Sequence, residues 1–248
     1  MSFDDFIKSL SEEDLARIKE AFAKQQGNKP VYSYSLMTDV ILDELFKISI
    51  SLDRTIFNTW FDNAIKLDQK TIDFINALLK KESVYLDFYS EEDLKIKFLA
   101  PVLNRIDFKI NDNLRDFYEA KLSYESDDFI LTGTTDFMVS QGLKRPKKPY
   151  FFIQEFKKSK SNSDPEPQLI AELISAVELN GFKTIKGAFI VGGNWNFVIL
   201  QRIKKHHYRY FLSQTFNAEN AIDLQQIYRN LLYVKEEIRH LSTENSLL

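Results

Sequence analysis

Apolar residues in the first third of the chain recur at helical intervals. Phe3, Phe6, Ile7 and Leu10 fall three and four apart, and Leu15, Ile18 and Phe22 continue one apolar face behind Ser11 and Asp14, which read as a capping pair. Gly27 and Pro30 close that segment. Met37, Val40, Ile41, Leu45 and Ile48 predict a second helix. Asp53 caps a third that runs through Trp60 and Phe61, and Ile72, Ile75, Leu78 and Leu79 make a fourth. Residues 1–86 are therefore expected to form an α-helical amino-terminal extension without chemistry of its own, leaving residues 87–248 as the domain that carries a site.

The pattern changes after Lys81. Ser90-Glu91-Glu92-Asp93 opens a helix bearing Leu94, Phe98, Leu99, Val102 and Leu103, with Pro101 inside it as a point of kinking. Strands are predicted over 115–124, 128–140 and 149–157, and the short, turn-rich links between them favour an antiparallel meander. Pro165 to Gly181 reads as the next helix. Ala188–Val191 and Phe197–Leu200 flank Gly192-Gly193-Asn194-Trp195 as a hairpin, and a strand near 207–213 and a helix over 219–241 complete the chain. The polar stretch from Lys157 to Pro167 is expected to be a surface loop. The fold class implied is α/β, a mixed sheet with an antiparallel meander flanked by helices.

Composition narrows the chemistry. An apolar fraction of 44% in 248 residues supports a sizeable core, and 21 Phe with 11 Tyr make it aromatic. There is no cysteine, which excludes disulfides, thiol nucleophiles and cysteine-held zinc, and only His206, His207 and His240 could serve histidine chemistry. Carboxylates, lysine and water are what remains. A formal net charge of −3 argues against nucleic-acid binding by bulk electrostatics, although local basic patches could still achieve it. The start of the chain is acidic and no apolar run reaches the length of a signal core or membrane span, so a cytoplasmic protein without membrane contact is expected.

One constellation carries chemistry. An acid-x-lysine triplet alone proves nothing, since the chain holds five: Asp68/Lys70, Asp93/Lys95, Asp107/Lys109, Glu119/Lys121 and Glu155/Lys157. Only the last follows a run, Tyr150-Phe151-Phe152-Ile153, that is apolar at both parities, the mark of a strand buried on both faces, where charge is costly. The other four fall in helical patterns, at helix ends or on a half-exposed strand. Glu155 and Lys157, two apart on a strand, share a face. One strand upstream, Gly133-Thr134-Thr135-Asp136 supplies a second carboxylate behind a glycine that lets the backbone bend. Asp136 and Glu155 could share a hard divalent cation, Mg²⁺ or Mn²⁺, which takes one or two carboxylates and completes its shell with water and substrate phosphate. Lys157 would position or activate the attacking water and stabilise the charge developing on phosphorus.

In the order of these residues and elements, the stretch from about 88 to 203 resembles the PD-(D/E)xK nuclease superfamily. Glu91-Glu92-Asp93 followed by Leu99-Ala100-Pro101-Val102-Leu103 looks like the first helix of the amino-terminal nuclease domains of type I restriction subunits. Gly133-Thr134-Thr135-Asp136 looks like the GxxD step of several branches, with Thr135 standing where the family usually has proline. Gln168 and Glu172 look like the polar pair that some branches place beside the site. The resemblance implies a restriction-endonuclease-like core, a Mg²⁺- or Mn²⁺-dependent nuclease acting on DNA, and a site formed by Asp136, Glu155, Lys157, Glu91 and Gln168. Either Glu91 or Glu92 could face that site, and acids are in any case favoured in a first helical turn. No helicase or methylase motif is present; a homodimer and partner subunits are both compatible with the sequence.

Lys144, Arg145, Lys147 and Lys148 form a basic hairpin tip, which with Lys158 and Lys160 is a candidate grip on backbone phosphates, although a charge run commonly serves only as a solvated turn. Trp195 and Tyr208 could stack on bases, and hairpin packing explains them equally well. The competing reading of the whole is a catalytically inactive module of the same fold that binds nucleic acid or a protein.

Overall fold

The computed structural model describes residues 11, 14, 15, 17, 18, 29–159 and 164–244. The expected helix over residues 3–10 and the positions of Phe22 and Lys160 lie outside them. Ser11 and Asp14 do cap one another: each backbone N–H donates to the other's side chain, at 3.0 and 3.1 Å.

Among the described residues eight strands form one mixed sheet. In chain order the elements are β1 (Val31–Ser33), α1 (Asp39–Leu45), β2 (Lys47–Ser51), α2 (Asn58–Phe61) and α3 (Gln69–Glu82). There follows a broken helix, α4, made of Glu91–Leu94, a π-helical turn Lys95–Leu99 and Ala100–Ile106. The remainder is β3 (Leu114–Glu125), β4 (Ile130–Gln141), β5 (Lys147–Lys157), α5 (Pro165–Asn180), β6 (Thr184–Val191), β7 (Asn194–Lys204), β8 (His207–Asn217) and α6 (Ala221–Glu244). The antiparallel meander β3–β4–β5 and the β6–β7 hairpin match the hydrophobic pattern. No helix among the described residues is long and apolar enough to cross a membrane.

The first third differs from a helical lobe. Ile48, expected to extend a helix, lies in β2, which pairs in parallel with β8, while β1 pairs in parallel with β4. The sheet thus crosses the boundary expected at residue 86. Helix α1 ends at Leu45 because Phe46 turns into extended backbone, and β2 then alternates the β-branched Ile48 and Ile50 with serines, a pattern that favours a strand. Trp60 is also core to the whole molecule, 1% exposed, with Nε1 donating to the Asn230 carbonyl at 2.8 Å and its ring 5.0 Å from that of Phe197.

Two buried layers sit on the two faces of the sheet. One, under α4 and α6, is aromatic, with Trp60, Trp195, Phe197, Phe152 and Phe156. The other lies under α5, whose Leu169, Leu173 and Val177 pack on Met138 and Ile153. Trp195 and Tyr208 are both fully buried, which leaves them as core residues and removes them as stacking platforms for bases. Gly181 ends α5 in the left-handed region (φ 70°), which glycine occupies without steric cost.

Pro101 is accommodated by a change of helix geometry. The Ala100 N–H reaches back five residues to the Lys95 carbonyl, and the widened turn precedes a proline that has no N–H to return to Lys97.

Candidate functional site

The pairing of β4 creates a notch. β3 pairs with β4 from Ile130 to Gln141, missing only Asp136, so β1 and β5 must share the opposite edge. β1 takes residues 130–132 and β5 takes 137–141. Gly133-Thr134-Thr135-Asp136 faces the gap between them. β5 meanwhile stays paired to β6 as far as Lys157, so it leaves β4 beyond Gln154 without leaving the sheet. Gly133 is required where it stands, since a Cβ there would lie 2.8 Å from Tyr34 Cδ2. Tyr34 is fully buried and donates to Ser175 Oγ of α5 at 2.8 Å, closing one wall of the notch with a residue from the expected extension.

Asp136 spans the notch. Its Oδ2 accepts the Phe156 N–H at 2.7 Å, replacing the ladder hydrogen bond that the parting strands give up. Its Oδ1 accepts Lys95 Nζ at 2.7 Å. Asp136 is 7% exposed and Glu155 only 1%. Burial, followed by the Asp136 charge, pushes Glu155 up to about 8 despite Lys157. Lys157 Nζ lies 2.9 Å from Glu155 Oε1. Burial pulls the Lys157 ammonium down, but Glu155, Asp136 and Glu91 more than offset this and hold it protonated.

The remaining expected residues divide. Glu91 faces the notch: its Oε2 accepts the Lys158 N–H at 3.2 Å and its Oε1 lies 3.8 Å from Lys95 Nζ. Gln168 lies behind the site, with Nε2 donating to Glu172 Oε1 at 3.1 Å. Glu172 is fully buried, and burial with the Glu155 charge raises it well above the ordinary carboxyl value, so it is held neutral. Lys158 is adjacent to the site, its Nζ 3.3 Å from the Asp87 carbonyl.

The basic tip lies away from the notch. Lys144, Arg145, Lys147 and Lys148 stand at the other end of β5, and the strand rise puts Lys148 roughly 20 Å from Glu155. The register explains this: Gln141 pairs with Lys147, so the β4–β5 turn is diametrically opposed to the splayed end. Only Lys158 of the candidate phosphate-binding cations with described positions borders the notch.

Two site residues escape sequence reasoning. Lys95 and Glu119 belong to acid-x-lysine triplets whose patterns are those of a helix and a half-exposed strand. Lys95 Nζ reaches Asp136, Glu119 (3.3 Å) and Glu91, and its spacing of four from Glu91 is the signal that the sequence offers. Glu119 sits opposite Asp136 where the β3–β4 pairing is interrupted, with φ at 47°. A non-glycine in that region is strained, and its position against the notch marks a local constraint.

The donor set fits a divalent cation in part. Glu155 Oε2 is buried without a hydrogen-bond partner and the Asp136 charge acts on Glu155, so both carboxyl groups would gain from a shared positive charge. No cage of three or more Asp, Glu or His ligands exists among the described residues, so water or substrate oxygens would have to complete the shell, as is usual for Mg²⁺. Comparison with family models and with characterised proteins found no match.

Proposed function

We propose that the chain is a metal-dependent nuclease with a restriction-endonuclease-like core, hydrolysing phosphodiester bonds of DNA with Mg²⁺ or Mn²⁺. The observation that carries this reading is the meeting of buried charges where the strands part: Asp136 accepts the Phe156 N–H at 2.7 Å, next to Glu155, whose Oε1 accepts the Lys157 ammonium at 2.9 Å. Burying two carboxyl groups and packing an ammonium against one of them in an apolar sheet is costly unless the groups serve a ligand.

Asp136 and Glu155 would hold the ion. Once bound, Mg²⁺ or Mn²⁺ supplies Lewis acidity at the scissile phosphate and lowers the pKa of a coordinated water. Lys157 would donate hydrogen bonds that orient the attacking water and offset charge on the phosphoryl oxygens. The hydrogen bond from the Phe156 N–H fixes the Asp136 carboxylate, and Glu91 ties the strand end to α4 through the Lys158 N–H. On the α5 side Gln168 donates to the buried Glu172 carboxyl.

The inactive-module reading keeps one observation in its favour, the pairing of Asp136 with Lys95 and of Glu155 with Lys157. Cleavage assays separate the two. Plasmid and single-stranded DNA are incubated with Mg²⁺ or Mn²⁺ and the native chain, Lys157→Ala or Glu155→Gln. Metal-dependent cleavage abolished by both substitutions is expected, and cleavage that survives either one assigns the activity elsewhere.

A further inference from the structure

Both candidate metal ligands already carry an ammonium. Lys157 sits on Glu155, and Lys95 sits on Asp136 Oδ1 at 2.7 Å while also reaching Glu119 at 3.3 Å and Glu91 at 3.8 Å. Lys95 therefore pairs with three acids contributed by three elements, α4, β3 and β4. Its side chain is 17% exposed and lies on Oδ1 of an aspartate whose side chain is 9% exposed. Its anchorage is also unusual: Lys95 opens the π-helical turn, which adds a residue to the helix and turns its side chain towards the notch, while Phe98 and Leu99 point into the core.

Resting on the nuclease reading, we propose that Lys95 is an exchangeable counter-ion. In the metal-free protein it occupies the divalent cation's place on Asp136, and it moves to a substrate phosphate when the ion arrives. The physical reason is electrostatic. A doubly charged ion and an ammonium on one carboxylate oxygen repel strongly in a site of low dielectric, so one must leave. The stem of Lys95 is flexible, and its ammonium is a compact point charge suited to a phosphate oxygen. Metal and nucleic acid would therefore bind with positive coupling, because the phosphate receives the displaced charge.

The test uses the full chain and two readouts that should move in opposite directions. Mn²⁺ affinity is measured by calorimetric titration without nucleic acid, and affinity for a labelled DNA duplex by fluorescence anisotropy in Ca²⁺. Lys95→Met removes the charge but keeps the length of the side chain. It is expected to bind Mn²⁺ at least about tenfold more tightly and the duplex several-fold more weakly than the native chain, whereas Lys95→Arg keeps Mn²⁺ affinity near native. Circular dichroism and thermal unfolding verify the fold, and Lys95→Gln replaces the methionine variant should that one unfold. Unchanged or weaker Mn²⁺ binding in the neutral variants overturns the proposal, as does tighter Mn²⁺ binding without weaker duplex binding. A native chain that binds Mn²⁺ with neutral variants no tighter sinks this inference alone; a native chain and neutral variants that all fail to bind Mn²⁺ sink the nuclease reading with it.

Discussion

The two ends of the β4–β5 hairpin carry similar residue types and opposite physics. At the tip, Lys144 and Arg145 in the turn and Lys147 and Lys148 at the start of β5 are exposed to solvent. At the splayed end, Lys95, Lys157, Asp136 and Glu155 are buried or half-buried, and every one has a charged partner within hydrogen-bonding distance. Charge density by itself points to the tip. Desolvation points to the other end, because a charge is retained in an apolar sheet only against a cost of several kcal/mol that some function must offset. The contrast teaches that the site is defined by where the strands part, since parting frees edge groups that Asp136 then bonds.

The largest difference between the two ends should appear in catalysis. Asp136→Asn and Glu155→Gln are each expected to lower Mn²⁺-dependent DNA cleavage by on the order of 10³-fold, measured as single-turnover rates, while neutralising all four tip cations changes it by no more than several-fold. Equal losses at both ends would erase the distinction. The next effect tests whether the sheet and the early segment form one body. Trp60→Ala, which empties a site against Phe197 and Asn230, should cost about 3–5 kcal/mol in a single cooperative transition of the whole chain by denaturant unfolding. A separate low-stability transition would instead mark an independent extension.

Smaller effects sharpen the account of the notch. Gly133→Ala drives a methyl into Tyr34 and should destabilise by about 1–3 kcal/mol, with Tyr34→Phe/Gly133→Ala no better because the clash involves the ring and not the hydroxyl. Glu155 gives a pH signature. Its folded value is raised from the ordinary 4.5 to about 8, so the folded state holds more protons than the unfolded state between those limits. Metal-free stability should therefore fall as pH rises from about 5 to about 8, Mn²⁺ should restore it at the upper end, and Glu155→Gln should flatten the slope; a stability that rises across this window contradicts the assignment. Least of all, single tip substitutions such as Lys144→Gln should change stability by less than about 0.5 kcal/mol, read from urea midpoints.

The meander, the β6–β7 hairpin and α5 are legible in the sequence because each is specified locally, by short turn-rich links, by Gly192-Gly193 and by Gly181. β1 and β2 are not. Val31–Ser33 and Lys47–Ser51 are only three and five residues long and pair in parallel with strands far away in the chain, so nothing nearby records the pairing. Asp136, Glu155 and Lys157 stand out because charges interrupt or follow apolar runs. Lys95 and Glu119 do not, because Lys95 sits on a helix surface where lysine is ordinary, and Glu119 on a half-exposed strand; only the interrupted pairing around Asp136 brings them together. The place of the basic tip is hidden for a register reason: the sequence shows that the turn adjoins β5 without showing which end of β5 splays.

The measurement closest to the central claim is anomalous diffraction from crystals grown with Mn²⁺. The account predicts a single strong peak between the carboxyl groups of Asp136 and Glu155, at about 2.0–2.3 Å from an oxygen of each, with Lys95 Nζ withdrawn from Asp136. An empty notch at saturating Mn²⁺, or an ion bound only at the hairpin tip or elsewhere on the surface, would contradict it.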